Sequence, residues 1–477
     1  MKQIANLGRR VFSTVGAATV AFSLSGQIGW SETLADALVG AYNTSGLLDQ
    51  NRALLRAADE DVAVAAAALK PIISYSADIT RSFGDAQGFS PVTGIGSTNN
   101  LEQTLLTTSL IGELLLYDGG VSVLAREAAK ETVLATRQQL ISIEQTVLFR
   151  GVQAYLNLVS AREFVDLRQN NLRLLEQELQ AAKDRFEVGE VTRTDVAQAE
   201  SSLAEARSGL ATAQGNLLQA TEEYRNVVGR VPGAISPPPQ LPNISQSIEE
   251  ARAFAVRSHP DLQAAQRQVA AAELNIKRAE AALNPQISGI ARLSLSDGTS
   301  SADFTRSGAI GLQLSGPIYQ GGALASSIRS AMASRDAQRG NLLEVRKTVS
   351  QNVGNAYAAL SSQQASLRAS EERIRAARIA FDGVREEASL GARTTLDVLD
   401  AEQEVLDAET SRISAEANVY IAAYAVLQSV GRLTAQDLNL GVQIYDPAAY
   451  YNLAKDAPIS RSSQGQQLDK VLRALQK

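Results

Sequence analysis

The heptapeptide Gly316-Pro317-Ile318-Tyr319-Gln320-Gly321-Gly322 separates a segment of alternating apolar and polar residues from a long segment without proline. Its last four residues correspond to Tyr117-Asp118-Gly119-Gly120, at an offset of 202 residues (319 − 117). The same offset continues without a gap to Val228-Gly229-Arg230, which corresponds to Val430-Gly431-Arg432. Because one register is kept over so long a stretch, the chain is predicted to be a tandem duplication.

Each half is predicted to contain the same elements in the same order. A helical segment comes first, then two alternating segments typical of strands, then a long helix with heptad-like spacing, and finally a shorter return helix. The Gly/Ser/Asn-rich segments 84–103 and 297–306 are predicted to be loops that contain the 12 extra residues of the first half. The predicted helices are 34–69, 120–189, 195–228, 248–283 (broken at Pro260), 322–391 and 397–430, and the predicted strands lie near 71–83, 104–117, 285–296 and 307–319.

Five segments follow from these patterns. Residues 1–31 have the basic start, short apolar run and small residues of a signal peptide. The first structural repeat is assigned to 32–235, and the proline-rich linker 236–247 joins it to the second repeat, 248–440. Residues 441–477 are assigned to a C-terminal equatorial or tail segment.

The composition excludes several classes of function. The 477 residues include no cysteine and one histidine, His259, so thiol catalysis, disulfide scaffolds and multi-histidine metal sites are excluded. A net charge of −6 argues against nucleic acid as a partner. No nucleophile elbow, P-loop or dinucleotide motif is present, so no catalytic, cofactor-binding or metal-binding residue is assigned and the chain is predicted not to be an enzyme. His259, which precedes a proline, is predicted to be a surface or turn residue.

The four predicted strands are about 10–13 residues long, which is the length of a tilted transmembrane β-strand. A small soluble sheet would show the same alternation. Four strands cannot close a barrel, and lipid does not tolerate an open sheet edge. A membrane interpretation therefore requires oligomerisation, and three chains would supply twelve strands.

The sequence resembles the TolC family of trimeric outer-membrane channels over essentially all of the mature chain. The most specific matches are the heptapeptide at 316–322, the stretch 391–401, Ser258-His259-Pro260-Asp261-Leu262, and Val430-Gly431-Arg432-Leu433. The resemblance implies an α+β, mostly α, fold: a trimeric 12-strand transmembrane β-barrel continued by a 12-helix periplasmic coiled-coil α-barrel. It also implies an equatorial belt around the helices. The barrel would lie in the bacterial outer membrane and the helical tube in the periplasm.

The resemblance also implies a function and partners. The chain would be the exit channel of tripartite efflux pumps or of type I secretion, a passive conduit gated at its periplasmic helix tips. Its partners would be two further copies in a homotrimer, a periplasmic adaptor (membrane fusion) protein, an inner-membrane pump of the RND or ABC type, and outer-membrane lipid. The alternative is a periplasmic or secreted coiled-coil structural protein without a pore.

Seven residues are assigned to the gate region by position in the family pattern. Thr194, Asp195 and Arg393 match residues that hold the gate closed through bonds between helices, and Asp397 and Asp400 match an acidic constriction ring. Gly189 and Gly391 form the helix-tip turns, where a left-handed residue is favoured. The next helices are predicted to be capped by Thr194 or Asp195 and by Thr394 or Thr395.

Other interpretations and two departures from the family pattern accompany this assignment. Acids in a first helical turn also complement the helix dipole, so Asp397 and Asp400 need not form a ring. A ring of six carboxylates would attract cations, and its crowding would raise some of their pKa values. Ala388 occupies the position of a gate tyrosine, and Ser45-Gly46-Leu47 lacks the proline of the helix-breaking motif.

Overall fold

The computed structural model describes residues 31–89, 92, 94–244, 247–298 and 304–475. The predicted signal peptide therefore lies outside the described residues, except for Ser31. Helices dominate this part of the chain, and the element order of residues 34–228 recurs at 248–430. The elements are α1 Leu34–Thr44, α2 Gly46–Ala67, β1 Ile72–Phe89, β2 Gly96–Tyr117, α3 Val121–Glu187, α4 Arg193–Val228, α5 Ile248–Ser258, α6 Pro260–Ala281, β3 Gln286–Gly298, β4 Phe304–Ser315, α7 Ala323–Ser389, α8 Thr395–Val430, α9 Pro447–Ala454 and α10 Ser463–Leu475.

The helices α3 and α7 each have 67 residues, which corresponds to a length of about 100 Å at 1.5 Å per residue. Neither contains proline, and each packs along its return helix, α4 or α8, as the heptad-like spacing predicts. Among the described residues, no helix is both long enough and apolar enough to cross a membrane.

The helical segment that opens each repeat consists of two helices. In the second repeat the break lies at His259-Pro260, as predicted, and the His259 side chain caps α6. The first repeat breaks as well, although it has no proline there, because the Ser45 hydroxyl accepts a hydrogen bond from Leu48 N (3.3 Å) and caps α2. The prediction of one continuous helix at 34–69 was wrong at this point.

His259 lies in the turn, but not on the surface. Its side chain is buried, with Nδ1 accepting a hydrogen bond from Asp261 N (3.2 Å). Burial lowers the pKa of this imidazole, while nearby Asp261 and the backbone of Gln428 act in the opposite direction.

The four strands form one antiparallel sheet in the order β1-β2-β3-β4. One face carries large apolar side chains, and those of Ile73, Tyr75 and Ile79 are 73%, 83% and 72% exposed in the single protomer. In this protomer β1 and β4 are the edges of the sheet. The sheet therefore has an uncovered apolar face and two edges that could pair with another strand.

The first strand pair is longer than predicted, and the loop predicted at 84–103 was wrong. Gly84 pairs with Leu101 and Phe89 pairs with Gly96, so β1 and β2 form a two-stranded ribbon beyond the end of β3 at Gly298. The alternation of apolar and polar residues fades in the ribbon, while backbone pairing continues without it. Residues 72–117 number 46 and the corresponding residues 286–319 number 34, so this hairpin contains the 12 extra residues.

The second strand pair also differs from the prediction at its ends. β3 extends to Gly298 and β4 begins at Phe304, so only residues 299–303, which lie outside the described residues, separate the two strands. β4 ends at Ser315 instead of continuing to residue 319, because Pro317 has no N–H for the ladder.

The largest apolar core lies in the first repeat, where α1, α3 and α4 meet. Tyr155 is fully buried there, and its hydroxyl donates to Ser236 O (2.7 Å). The chain that follows α8 returns to this core, with Leu433 and Ala435 buried in it. A smaller core joins α5, α7 and α8 in the second repeat.

Candidate gate at the helix tips

Two tight turns connect the long helices to their return helices. Gly189 (φ 82°) and Gly391 (φ 77°) occupy the left-handed region in these turns. Glu190 N donates to Arg185 O and Ala392 N donates to Glu387 O, both at 2.9 Å. These bonds satisfy carbonyl groups at the ends of α3 and α7, so each tip has a defined backbone geometry.

Each return helix begins with the same capping box. Asp195 Oδ2 accepts bonds from the backbone and the hydroxyl of Thr192, both at 2.7 Å, and Asp195 N donates to Thr192 Oγ1 (3.3 Å). Thr394 and Asp397 repeat the arrangement, at 2.9, 2.8 and 3.2 Å. Thr394 is thus one of the two predicted caps, whereas Thr192 caps α4 in place of the predicted Thr194 or Asp195. The offset of 202 residues pairs Thr192 with Thr394 and could have identified it.

The three residues assigned to the gate are near one another but are not bonded together in one protomer. Arg393 Nε donates to Glu387 Oε2 (2.8 Å) within its own hairpin. Thr194 is exposed, and Asp195 is engaged with the cap of α4. Within the described part of the protomer, no hydrogen bond joins Arg393 to Thr194 or Asp195.

The two tips face each other across a hollow of about 510 Å³. The first hairpin contributes Arg185, Thr192 and Asp195, and the second contributes Ala388 and Arg393. Ala388 has only a methyl group, so the position assigned to a tyrosine in the family pattern leaves space between the tips.

The two acids of the assigned ring have different surroundings. Hydrogen bonds from Thr394 hold the pKa of Asp397 below its usual value, and the nearby Arg393 acts in the same direction. Within one protomer this is opposite to the increase predicted for a crowded ring. Asp400 is exposed and lies three residues further along α8, on the same side of the helix.

The sequence analysis did not predict the contacts between the hairpins α3–α4 and α7–α8. They include Glu178 with Arg385 (3.6 Å) and a hydrogen bond from Asn171 to Glu402 (2.6 Å). No local pattern pointed to these pairs, because the partners lie on different hairpins and far apart in the sequence. In the described part of the chain, no group of three or more potential ligands could hold a metal ion.

Comparison with known proteins identifies the family. The model of the family described as "Outer membrane efflux protein" matches residues 41–230 and 254–432. The outer membrane efflux protein BepC of Brucella suis is 36% identical over 435 residues, which is 91% of this chain and 92% of that protein. The outer membrane protein TolC of Escherichia coli is 26% identical, with 88% of this chain and 86% of TolC covered.

A secretion protein and a solved channel add to the comparison. The alkaline protease secretion protein AprF of Pseudomonas aeruginosa is 26% identical, with 79% of this chain and 80% of AprF covered. The CmeC outer membrane channel of Campylobacter jejuni shares the fold, with a TM-score of 0.71, 16% identity and 90% of both chains covered. The predicted resemblance is confirmed, and the chain belongs to the outer membrane efflux protein family.

Proposed function

We propose that this outer-membrane exit channel is a homotrimer whose strands form a 12-strand barrel and whose long helices form a tube in the periplasm. The observation that carries the proposal is the four-stranded sheet with an exposed apolar face and free edges at β1 and β4. In lipid each free edge would leave unpaired N–H and C=O groups, whereas edge-to-edge pairing of three copies closes the sheet.

The helices support a conduit that continues from such a barrel. β2 leads into α3 after three residues, and α7 follows β4 in the other repeat. The two helices are equally long, so three copies would supply six helices of about 100 Å and their return helices. If each protomer contributes four helices around the three-fold axis of the trimer, three copies give the 12-helix tube.

The proposed gate lies at the tips, where Thr194, Asp195 and Arg393 would hold the closed state. Asp397 and Asp400 from three copies would form the acidic constriction. The tight turns at Gly189 and Gly391 keep the tips compact. An adaptor would dock against these compact tips. The adaptor and an inner-membrane pump of the RND or ABC type would deliver cargo to the tips. The names of BepC and AprF support efflux and protein secretion, respectively, as the candidate transport routes.

Two measurements test the proposal. Mass determination of the detergent-purified protein should give three copies, and a stable folded monomer would refute the trimer. In planar bilayers, Arg393→Ser should raise the conductance because the guanidinium that braces the second tip is lost. Arg193→Ser, an exposed arginine at the other tip, is the control and should leave conductance unchanged. If Arg393→Ser behaves like the control, the assignment of Arg393 to the gate is wrong.

A further inference from the structure

A carboxylate is buried in the contact between the two hairpins of one protomer. Glu402 on α8 is 5% exposed, and Asn171 on α3 is 9% exposed. Asn171 Nδ2 donates to Glu402 Oε1 (2.6 Å), but the second oxygen, Oε2, has no hydrogen-bond partner among the described residues. Glu402 lies about 10 Å along α8 from Thr395, well above the tips. It lies two residues beyond Asp400 of the assigned acidic ring, but it is not itself one of the residues assigned to the gate region.

The surroundings of Glu402 disfavour its charge. Residues of α3, α4 and α8 form an apolar cluster at this level that includes Leu175, Leu203 and Leu399. Burial raises the pKa of Glu402 to about 7, and Glu178 on α3 acts in the same direction. The hydrogen bond from Asn171 and the charge of Arg385 on α7 act against the increase. An ionised Glu402 would leave one charged oxygen unpaired in this contact, which is costly.

We propose that Asn171 and Glu402 form a lock that holds the two hairpins together while Glu402 carries a proton and weakens when that proton is lost. The inference rests on the proposed gating, in which α7–α8 moves relative to α3–α4. Separation of the hairpins would expose Glu402 to water, where its pKa returns toward the usual 4.5. Asn171 and Glu402 are positioning residues in this scheme, because they act on the tips through the helices.

The sign of the pH dependence follows from these values. The closed state has the higher pKa for Glu402, so it binds the proton more tightly than the open state. Closure is therefore favoured at low pH, and opening becomes easier as the pH rises from about 4.5 to about 7. Above about 7 the carboxylate is ionised in both states, and this contribution no longer changes with pH. Within the window, one released proton changes the ratio of open to closed states by at most about tenfold per pH unit.

The test uses the full-length channel in planar bilayers between pH 5 and 8. Wild-type conductance should rise with pH and level off near 7. Glu402→Gln keeps the shape and the hydrogen bond but cannot ionise, so its conductance should stay low and lose this rise. Glu404→Gln is the matched control, because Glu404 lies two residues away on α8, is exposed and pairs with Arg373. It should keep the wild-type profile.

A second measurement reports the hairpins directly. The chain has no cysteine, so Val188→Cys and Leu390→Cys place spin labels at the two exposed tips alone. Their separation should increase with pH in the otherwise wild-type protein and stay constant when Glu402→Gln is added. A Glu402→Gln channel that keeps the pH dependence of conductance and of label separation overturns the lock. Failure of every variant, and of the wild type, to conduct at any pH would instead refute the proposed channel.

Discussion

Replacement of Thr192 by alanine tests whether the capping box or the family pattern identifies the structural residue at the first tip. Thr192 Oγ1 accepts from Asp195 N, and the Thr192 backbone and hydroxyl both donate to Asp195 Oδ2. Thr192→Ala removes the bonds of the hydroxyl and retains only the backbone bond to the carboxylate. Thr194 lies inside the first turn of α4 and is exposed, so Thr194→Ala removes no capping bond.

The expected magnitude follows from the role of the residue. Loss of a threonine N-cap costs about 1 kcal/mol of helix stability. Local opening of the first turn of α4 should therefore become roughly fivefold more frequent. The turn at Gly189 ends α3 through its own bonds, so the effect should be confined to the start of α4.

Hydrogen exchange of the purified channel, followed by mass spectrometry of peptides covering residues 190–200, measures this opening. Thr192→Ala should exchange roughly fivefold faster than wild type in this region, Thr192→Ser should restore the wild-type rate, and Thr194→Ala should match wild type. Peptides from the middle of α3 report whether the protein as a whole has been destabilised. If Thr194→Ala accelerates exchange as much as Thr192→Ala, the reasoning from the capping box is wrong.

Three further outcomes are expected at the second tip. Asp400→Asn should lower the preference of the channel for cations. It should not change hydrogen exchange at the start of α8, because Asp400 lies outside the capping box. An unchanged ion selectivity would exclude Asp400 from an acidic ring. Asp397→Asn should lower the preference for cations and should also accelerate hydrogen exchange at the start of α8, because the Asp397 carboxylate accepts two hydrogen bonds from Thr394. Wild-type exchange at the start of α8 would contradict the capping role of Asp397. Ala388→Tyr should lower the conductance because the phenol fills the hollow between the tips, with Ala388→Ser as the control of similar size; an increase would show that the hollow is not part of the closed gate.

Much of the fold could be predicted from the sequence because its determinants are local. Long segments without proline and with heptad-like spacing specify α3 and α7, and glycine pairs mark their beginnings. Alternation predicted the strands where one face is apolar, but it failed in the ribbon beyond Arg81, where pairing is made by the backbone. Local pattern also predicted the turns at Gly189 and Gly391, while the cap of α4 was assigned two or three residues too late, to Thr194 or Asp195 instead of Thr192.

The candidate site was only partly accessible in the same way. The family pattern placed Thr194, Asp195 and Arg393 near the tips, and the structure places them there. It did not show that Arg393 pairs with Glu387 of its own hairpin, which depends on how the turn folds back. The raised pKa of Glu402 was also beyond the sequence, because burial between α3 and α8 is its largest cause.

By itself, the sequence determined the duplicated order of elements, the length of the helices and the alternation of apolar and polar residues in the four-stranded part of the sheet. These features depend on residues within a few turns of one another. Tertiary structure decided which copies of a repeated residue are buried: Tyr155 is fully buried with its hydroxyl bonded to Ser236, whereas the equivalent Tyr357 is half-buried. It also decided that Glu402 meets Asn171, 231 positions earlier in the chain. Such contacts join distant segments, and no local period records them, because their energy depends on the packing of whole helices.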